Sequence, residues 1–286
     1  MLEKLQVALQ YILPKQLLSR LIGYLAAARA GRLTTWLIKQ FIRRYRVDMS
    51  EALEPNPSAY LTFNAFFTRA LKADARPIIE GDESLAQPAD GRVSQQGRIR
   101  FDRIIQAKGH DYSVRELLGG ESCLADEFAD GTFVTVYLSP KDYHRVHMPI
   151  DGQLREMIHV PGELFSVNPI TARYVPELFA RNERVIAIFD TAIGPMAMVL
   201  VGATIVASIE TVWAGTIAPA GGQINSWNYQ HPEPINLKKG DEMGRFKLGS
   251  TVILLFGRDA IDFANTVRQG EVTRMGEMLA SVRSHD

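Results

Sequence analysis

Three runs of β-branched and apolar residues limit the folds open to this chain: 132–138 (TFVTVYL), 184–189 (RVIAIF) and 196–206 (MAMVLVGATIV). Val, Ile and aromatic side chains suit a pleated, buried surface, and the runs are of strand length. Turn residues separate them at Asp90-Gly91, Ser139-Pro140, Asp151-Gly152 and Gly194-Pro195. Long helical patterns do not alternate with these strands, which argues against a doubly wound parallel sheet. The expectation is an α+β protein with a mostly antiparallel β core and a helical element at its N-terminus. The 286 residues suffice for one sizeable core plus an appendage, or for two small domains.

The first 46 residues differ from the rest. They carry nine basic residues and one acid, Glu3, a net charge of +8 in a chain that is neutral overall. Apolar side chains recur at helical spacing (Leu2, Leu5, Leu9; Leu17, Leu21, Leu25; Leu33, Leu37, Phe41), and Pro14 and Gly31 cut the pattern into three helices. Basic amphipathic helices with Tyr24, Trp36 and Tyr45 suit the interface of an anionic bilayer; a helical cap with a solvated basic face suits the pattern equally well. Charges interrupt every run that could reach the roughly 18 apolar residues of a membrane span. A secretory signal pattern is missing as well. Residues 1–46 thus form one segment, with both readings open, and 47–286 a β-rich domain. Within the latter, 47–80 is a connector with a turn at 54–57 and a short, polar-capped helix at 62–67.

Lys plus Arg and Asp plus Glu both number 32, so nothing in the overall charge suggests a nucleic-acid partner. The one cysteine, Cys123, can form neither an internal disulfide nor a thiolate cluster and reads as a small buried hydrophobe.

Chemistry could reside in three places. Gly249-Ser250-Thr251 stands immediately before the apolar run 252–256, so a hydroxyl sits at the mouth of a buried strand beside a carbonyl with no neighbouring side chain. A bare Gly-Ser pair is usually a strand-opening turn. His144 and His147 lie in 143–149 (YHRVHMP); histidine is the usual general base near neutral pH. Residues three apart on a strand face opposite ways, so either one histidine faces a site or the segment is irregular. Asp90, in 87–91 (QPADG), reads most simply as part of a hairpin turn, or else as a carboxylate that orients a histidine.

Together these segments are far more specific than any one of them. The chain resembles the proteobacterial membrane-associated phosphatidylserine decarboxylases, with 88–91, 137–149, 160–168, 178–184, 210–215 and 239–251 matching in order. The likeness runs from about residue 8 to residue 257 and is weakest over 221–237 and the C-terminal tail.

The resemblance implies self-cleavage between Gly249 and Ser250 within the motif Leu248-Gly249-Ser250-Thr251, giving chains 1–249 and 250–286. It implies a triad of Asp90, His147 and Ser250, with Asp90 orienting the His147 imidazole and His147 taking the Ser250 proton. The cofactor implied is pyruvate, a covalent pyruvoyl group made from Ser250. Its ketone condenses with the amine of phosphatidylserine, and CO2 leaves to give phosphatidylethanolamine. His144 is the residue implied to protonate the former α-carbon. No metal is expected. The expected partners are phosphatidylserine in an anionic bilayer and the two chains of one precursor, with a homo-oligomer compatible. A lipid substrate favours docking over a soluble cap, so the resemblance implies a membrane-docking segment over 1–46 and a catalytic domain over 47–286, held peripherally on the cytoplasmic face of the cell membrane. Two alternatives stand beside this reading: a zinc-dependent hydrolase using His144 or His147, and a non-catalytic lipid-binding module.

Overall fold

The computed structural model describes residues 2–107, 109–204, 208–218, 222–230, 233–247 and 250–283. Three helices open the chain, α1 (Leu2–Ile12), α2 (Lys15–Ala27) and α3 (Arg32–Tyr45). Pro14 precedes α2, and Gly31, at φ +54°, precedes α3 in a conformation that strains any side chain. The expected short helix is α4 (Phe63–Phe67), where the Thr62 hydroxyl accepts a hydrogen bond from Ala65 N at 3.0 Å. Phe41 of α3 packs edge-on against Phe63, Phe66 and Phe67, which fixes α3 to α4. Tyr11 of α1 packs edge-on against Phe165, and Lys15 pairs with Glu163, so the first two helices are anchored to the β domain.

The rest is mostly antiparallel β. A nine-stranded sheet runs in the order Asn225–Asn228, Gly152–Val160, Arg184–Thr191, Gly194–Val201, Ser250–Phe256, Thr132–Leu138, Gly91–Arg98, Val272–Thr273. Asn236–Leu237 also pairs with Gly152–Val160. A four-stranded sheet of Gly215–Ala218, Ile209–Thr211, Glu242–Phe246 and Arg145–His147 packs on one face of it. Alternate residues divide cleanly. Val252, Leu254 and Phe256 point toward that second sheet with Val136, Leu138, Val185 and Leu200, whereas Ile253 and Leu255 point to the opposite core with Ile186, Phe165 and Phe179. Both faces are therefore covered, which is why the central strands read as continuous apolar runs rather than alternating ones.

Three expectations from sequence are corrected. Gln87–Gly91 is not a hairpin: Ser84–Ala86 pairs with Met278–Val282 in a separate sheet, while Gly91–Arg98 joins the large one, so the chain crosses between sheets. Gly91 lies so close to the neighbouring strand that a Cβ there would meet Tyr137 O at 2.4 Å. Cys123 is exposed on a short helix instead of buried. The run expected as one strand over 196–206 ends at Val201, and residues 205 and 206 lie outside the described residues.

Candidate active site

Ser250 opens a central strand opposite Leu138 and is fully buried. By alternation with Val252 its side chain faces the second sheet. Its hydroxyl is buried with no hydrogen-bond partner among the described residues, an arrangement that costs free energy and calls for an explanation. Leu248 and Gly249 lie outside the described residues, so the expected cleavage motif is seen from its Ser250-Thr251 half.

The same connection leads to the histidines. Phe246 N donates to His144 O at 3.0 Å, one step beyond the pairing of Arg245 with Arg145. Four residue steps separate Phe246 from Ser250, a reach of at most about 14 Å. Val146 belongs to the core between the sheets; His144, two residues earlier, lies beyond the end of that strand. The His144 ring lies 4.0 Å from that of Phe67 and is fully buried. Its Nδ1 is 2.8 Å from Asp142 O; a carbonyl only accepts, so Nδ1 carries the hydrogen and Nε2 keeps its lone pair. That Nε2 is buried with no partner among the described residues. Burial pushes the imidazole down to about 3, only partly opposed by the Asp142 carbonyl, so the ring is neutral at physiological pH.

His147 is held differently. Its Nδ1 donates to Gly240 O at 2.8 Å, and its Nε2 accepts from the Tyr143 hydroxyl at 3.1 Å. Burial lowers its pKa; the Gly240 carbonyl and, more weakly, the charges of Glu242 and Asp90 pull the other way. The strand covers only Arg145–His147, so His144 stands outside it and the two rings occupy separate surroundings.

Asp90 lies beside this strand, since His147 N donates to Pro88 O at 2.8 Å. Its carboxylate, however, does not orient His147. Arg76 Nε and Nη2 reach Oδ1 and Oδ2 at 2.9 and 2.5 Å, and Met275 N donates to Oδ1 at 2.9 Å. A guanidinium fork matches a carboxylate better than an imidazole does, and it leaves Asp90 acting on His147 only through space. Among the described hydrogen bonds none links the side chains of Asp90, His147 and Ser250. Arg76 lies in the connector and nothing in the sequence marks it. Tyr143 and Asp142 lie within the quoted 137–149 motif, but only the fold reveals their bonds to the histidines.

His144 and His147 do not converge on a point, and among the described residues no group of three or more His, Cys, Asp or Glu could hold a metal ion. The buried Ser250 hydroxyl at a strand mouth and the buried rings of His144 and His147 make up the candidate site. A family model described as phosphatidylserine decarboxylase matches residues 63–281, and a second, described as PSD, matches residues 5–46. The chain is 60% identical to the phosphatidylserine decarboxylase proenzyme of Idiomarina loihiensis, over 99% of this chain and 98% of that one. It is also 60% identical to the proenzyme of that name from Psychromonas ingrahamii, over the full length of both. A Shewanella species (strain W3-18-1) has another that is 61% identical over 99% of each chain. The chain belongs to the phosphatidylserine decarboxylase family.

Proposed function

We propose that this chain is the precursor of a phosphatidylserine decarboxylase that cuts itself between Gly249 and Ser250 and makes its cofactor, a pyruvoyl group, from Ser250. The observation that carries the reading is the Ser250 hydroxyl, fully buried at the mouth of a central strand and without a hydrogen-bond partner among the described residues. Oγ attacks the carbonyl of residue 249 and turns the amide into an ester. Loss of the α-proton then expels the upstream carboxylate, and the remaining dehydroalanine is hydrolysed to the ketone with release of ammonia. A pyruvoyl group supplies a ketone that condenses with the substrate amine and accepts the electron pair freed as CO2 leaves. The product is phosphatidylethanolamine.

His147 takes the Ser250 proton in this scheme, once the Tyr143 hydroxyl gives up Nε2, and the Asp90 charge favours the imidazolium that forms. His144 delivers the later proton to substrate carbon. A second reading exchanges these roles, because His144 Nε2 is already free whereas both His147 nitrogens are engaged.

The N-terminal helices dock on an anionic membrane surface in our reading, from its cytoplasmic side. The apolar stripe is turned outward: Leu17, Leu21, Tyr24, Leu25, Leu33 and Trp36 are all more than half exposed. Contiguous exposed apolar surface flanked by Arg and Lys suits interfacial burial. No helix among the described residues is long and apolar enough to cross a bilayer.

Intact mass under denaturing conditions tests the central step. Two chains are expected, 1–249 and a 37-residue fragment that resists Edman degradation for want of an amine, with Ser250→Ala giving one chain of 31.9 kDa. A fully active enzyme that stays uncleaved overturns the reading.

A further inference from the structure

Glu183 and His159 form a buried pair that self-cleavage does not use. His159 is fully buried, and its Nε2 donates to Glu183 Oε1 at 2.9 Å. Its Nδ1 is buried without a partner among the described residues. Glu183 stands just before Arg184–Thr191, Gly202 just after Gly194–Val201, and Ser250 at the head of the next strand. Val201 pairs with Arg184 on one side and Thr251 on the other, and Gly202 N donates to Glu183 O at 2.8 Å. Glu183, Gly202 and Ser250 therefore lie abreast. Val185, Leu200 and Val252 show which face they share: it is the face toward the second sheet. Two strand spacings, roughly 10 Å, separate Glu183 from Ser250, with only a glycine between. A Cβ on Gly202 would meet Glu183 O at 3.2 Å, Leu164 Cδ2 at 3.8 Å and Ile209 Cδ1 at 3.9 Å, so the gap is narrow and its side-chain walls are apolar. Leu164 also lines a hollow of about 770 Å³ with Pro14, Lys15, Leu17 and Arg20 at the α1–α2 junction.

We propose that Glu183 is the base that binds the substrate's ammonium group and takes its proton beside position 250, with His159 as the positioning residue that fixes its carboxylate. The proposal rests on the pyruvoyl reading above. An amine reaches the bilayer surface protonated and cannot attack a ketone until an N–H bond breaks. The proton passes to a Glu183 oxygen, forming an O–H bond and freeing the nitrogen lone pair, and is then available to the oxygen that departs as water. No oxidant or reductant is needed. In a water-poor gap the ion pair that precedes this transfer is strong.

Full-length Glu183→Gln, Glu183→Asp and His159→Gln variants, purified in detergent, test the proposal with dioctanoyl phosphatidylserine as probe. Intact mass reports self-cleavage, and the mass added to the small chain after cyanoborohydride reduction reports amine capture without turnover. Glu183→Gln is expected to cleave normally yet capture substrate about 10²-fold more slowly at pH 7, the usual size of a lost acid–base group. Raising the pH toward 10, where the amine deprotonates unaided, should restore capture. Glu183→Asp should recover part of the rate, and His159→Gln should lose part of it with the same pH recovery. Wild-type capture by Glu183→Gln, or a defect that high pH does not repair, overturns the proposal. Uncleaved precursor from Glu183→Gln with a folded circular dichroism spectrum also overturns it, by moving the pair into self-cleavage. Should Glu183→Gln fail to fold, wild-type capture by His159→Gln overturns it instead. A wild-type protein that is itself uncleaved and captures nothing overturns the pyruvoyl reading on which the proposal stands.

Discussion

Arg76 grips Asp90 through two nitrogens, Nε at 2.9 Å and Nη2 at 2.5 Å, and both side chains are almost completely buried. Glu51 also reaches Arg76 Nη2, at 2.8 Å, so the pair ties the connector to the start of Gly91–Arg98 and, through Met275 N, to the C-terminal segment. Breaking a buried ion pair by removing one partner leaves an uncompensated charge and typically costs about 3–5 kcal/mol. Arg76→Ala is expected to lose that much stability in urea unfolding, measured in the uncleavable Ser250→Ala background so that one species unfolds. The doubly altered Arg76→Met/Asp90→Leu protein, which buries no lone charge, should recover most of it. Equal losses from the single and double changes would mean that the pair is not what joins these segments.

The two histidines separate by assay. His147→Ala is expected to accumulate uncleaved precursor and so lack a cofactor. His144→Ala is expected to cleave substantially but release CO2 from labelled phosphatidylserine at least about 10²-fold more slowly. The reverse pattern assigns the free Nε2 of His144 to self-cleavage. Normal cleavage and normal decarboxylation in both would make the pair structural. Tyr143→Phe refines the result: it frees His147 Nε2, and if His147 is the base, precursor should disappear at least as fast as in the parent.

Much of this was legible in the sequence. The three apolar runs announced strands because both faces of the central sheet are buried, and Pro14 and Gly31 marked the helix breaks through their backbone chemistry alone. Ser250, His144, His147 and Asp90 were legible only through the family pattern, because a Gly-Ser pair, a histidine pair and an Asp-Gly dipeptide are each commonplace. The partners of those residues were not legible. Arg76 is distant in sequence from nothing more than ordinary connector residues, and backbone carbonyls such as Gly240 O and Asp142 O carry no side-chain signature. The outward turn of Leu17, Leu21 and Leu25 was also hidden, since periodicity gives a stripe and not the direction it faces.

Acid should destabilise the precursor through His144. Its folded pKa is about 3 against 6.5 for the free group, with burial as the main cause. Between those values the unfolded chain binds the extra proton, so stability is present above about pH 6.5 and is lost as pH falls toward 3. A gap of that size corresponds to a few kcal/mol. Asp142 works the other way above its ordinary value of 3.8, because burial raises its pKa. Comparing His144→Gln with its parent isolates the histidine: urea midpoints in the Ser250→Ala background should fall from pH 7 to pH 4 more steeply with His144 than with Gln. Parallel curves would show that the ring is solvated and not buried neutral.

Membrane docking should depend on both the apolar stripe and the charge around it. Leu17, Leu21 and Leu25 lie on one side of α2 and are 68%, 55% and 63% exposed, next to the exposed Arg20, Arg29 and Arg32. Moving a leucine side chain from water into an apolar layer is worth about 1.5–3 kcal/mol when burial is complete, and each basic residue near an anionic surface adds about 1 kcal/mol that salt screens. Leu21→Asp/Leu25→Asp is therefore expected to abolish cosedimentation with vesicles containing phosphatidylglycerol, while Arg20→Gln/Arg32→Gln weakens it most at low salt and little at 0.5 M. Self-cleavage should proceed in both variants, since neither pair touches Ser250, His144 or His147, and this confirms that the protein still folds. For the wild type, salt alone should reduce binding without ending it, because the apolar contribution is not screened. Undiminished sedimentation of the Leu21→Asp/Leu25→Asp protein would place the docking surface elsewhere. Loss of sedimentation together with a change in the mass of the soluble particle by light scattering would instead assign the stripe to contact between copies of the chain.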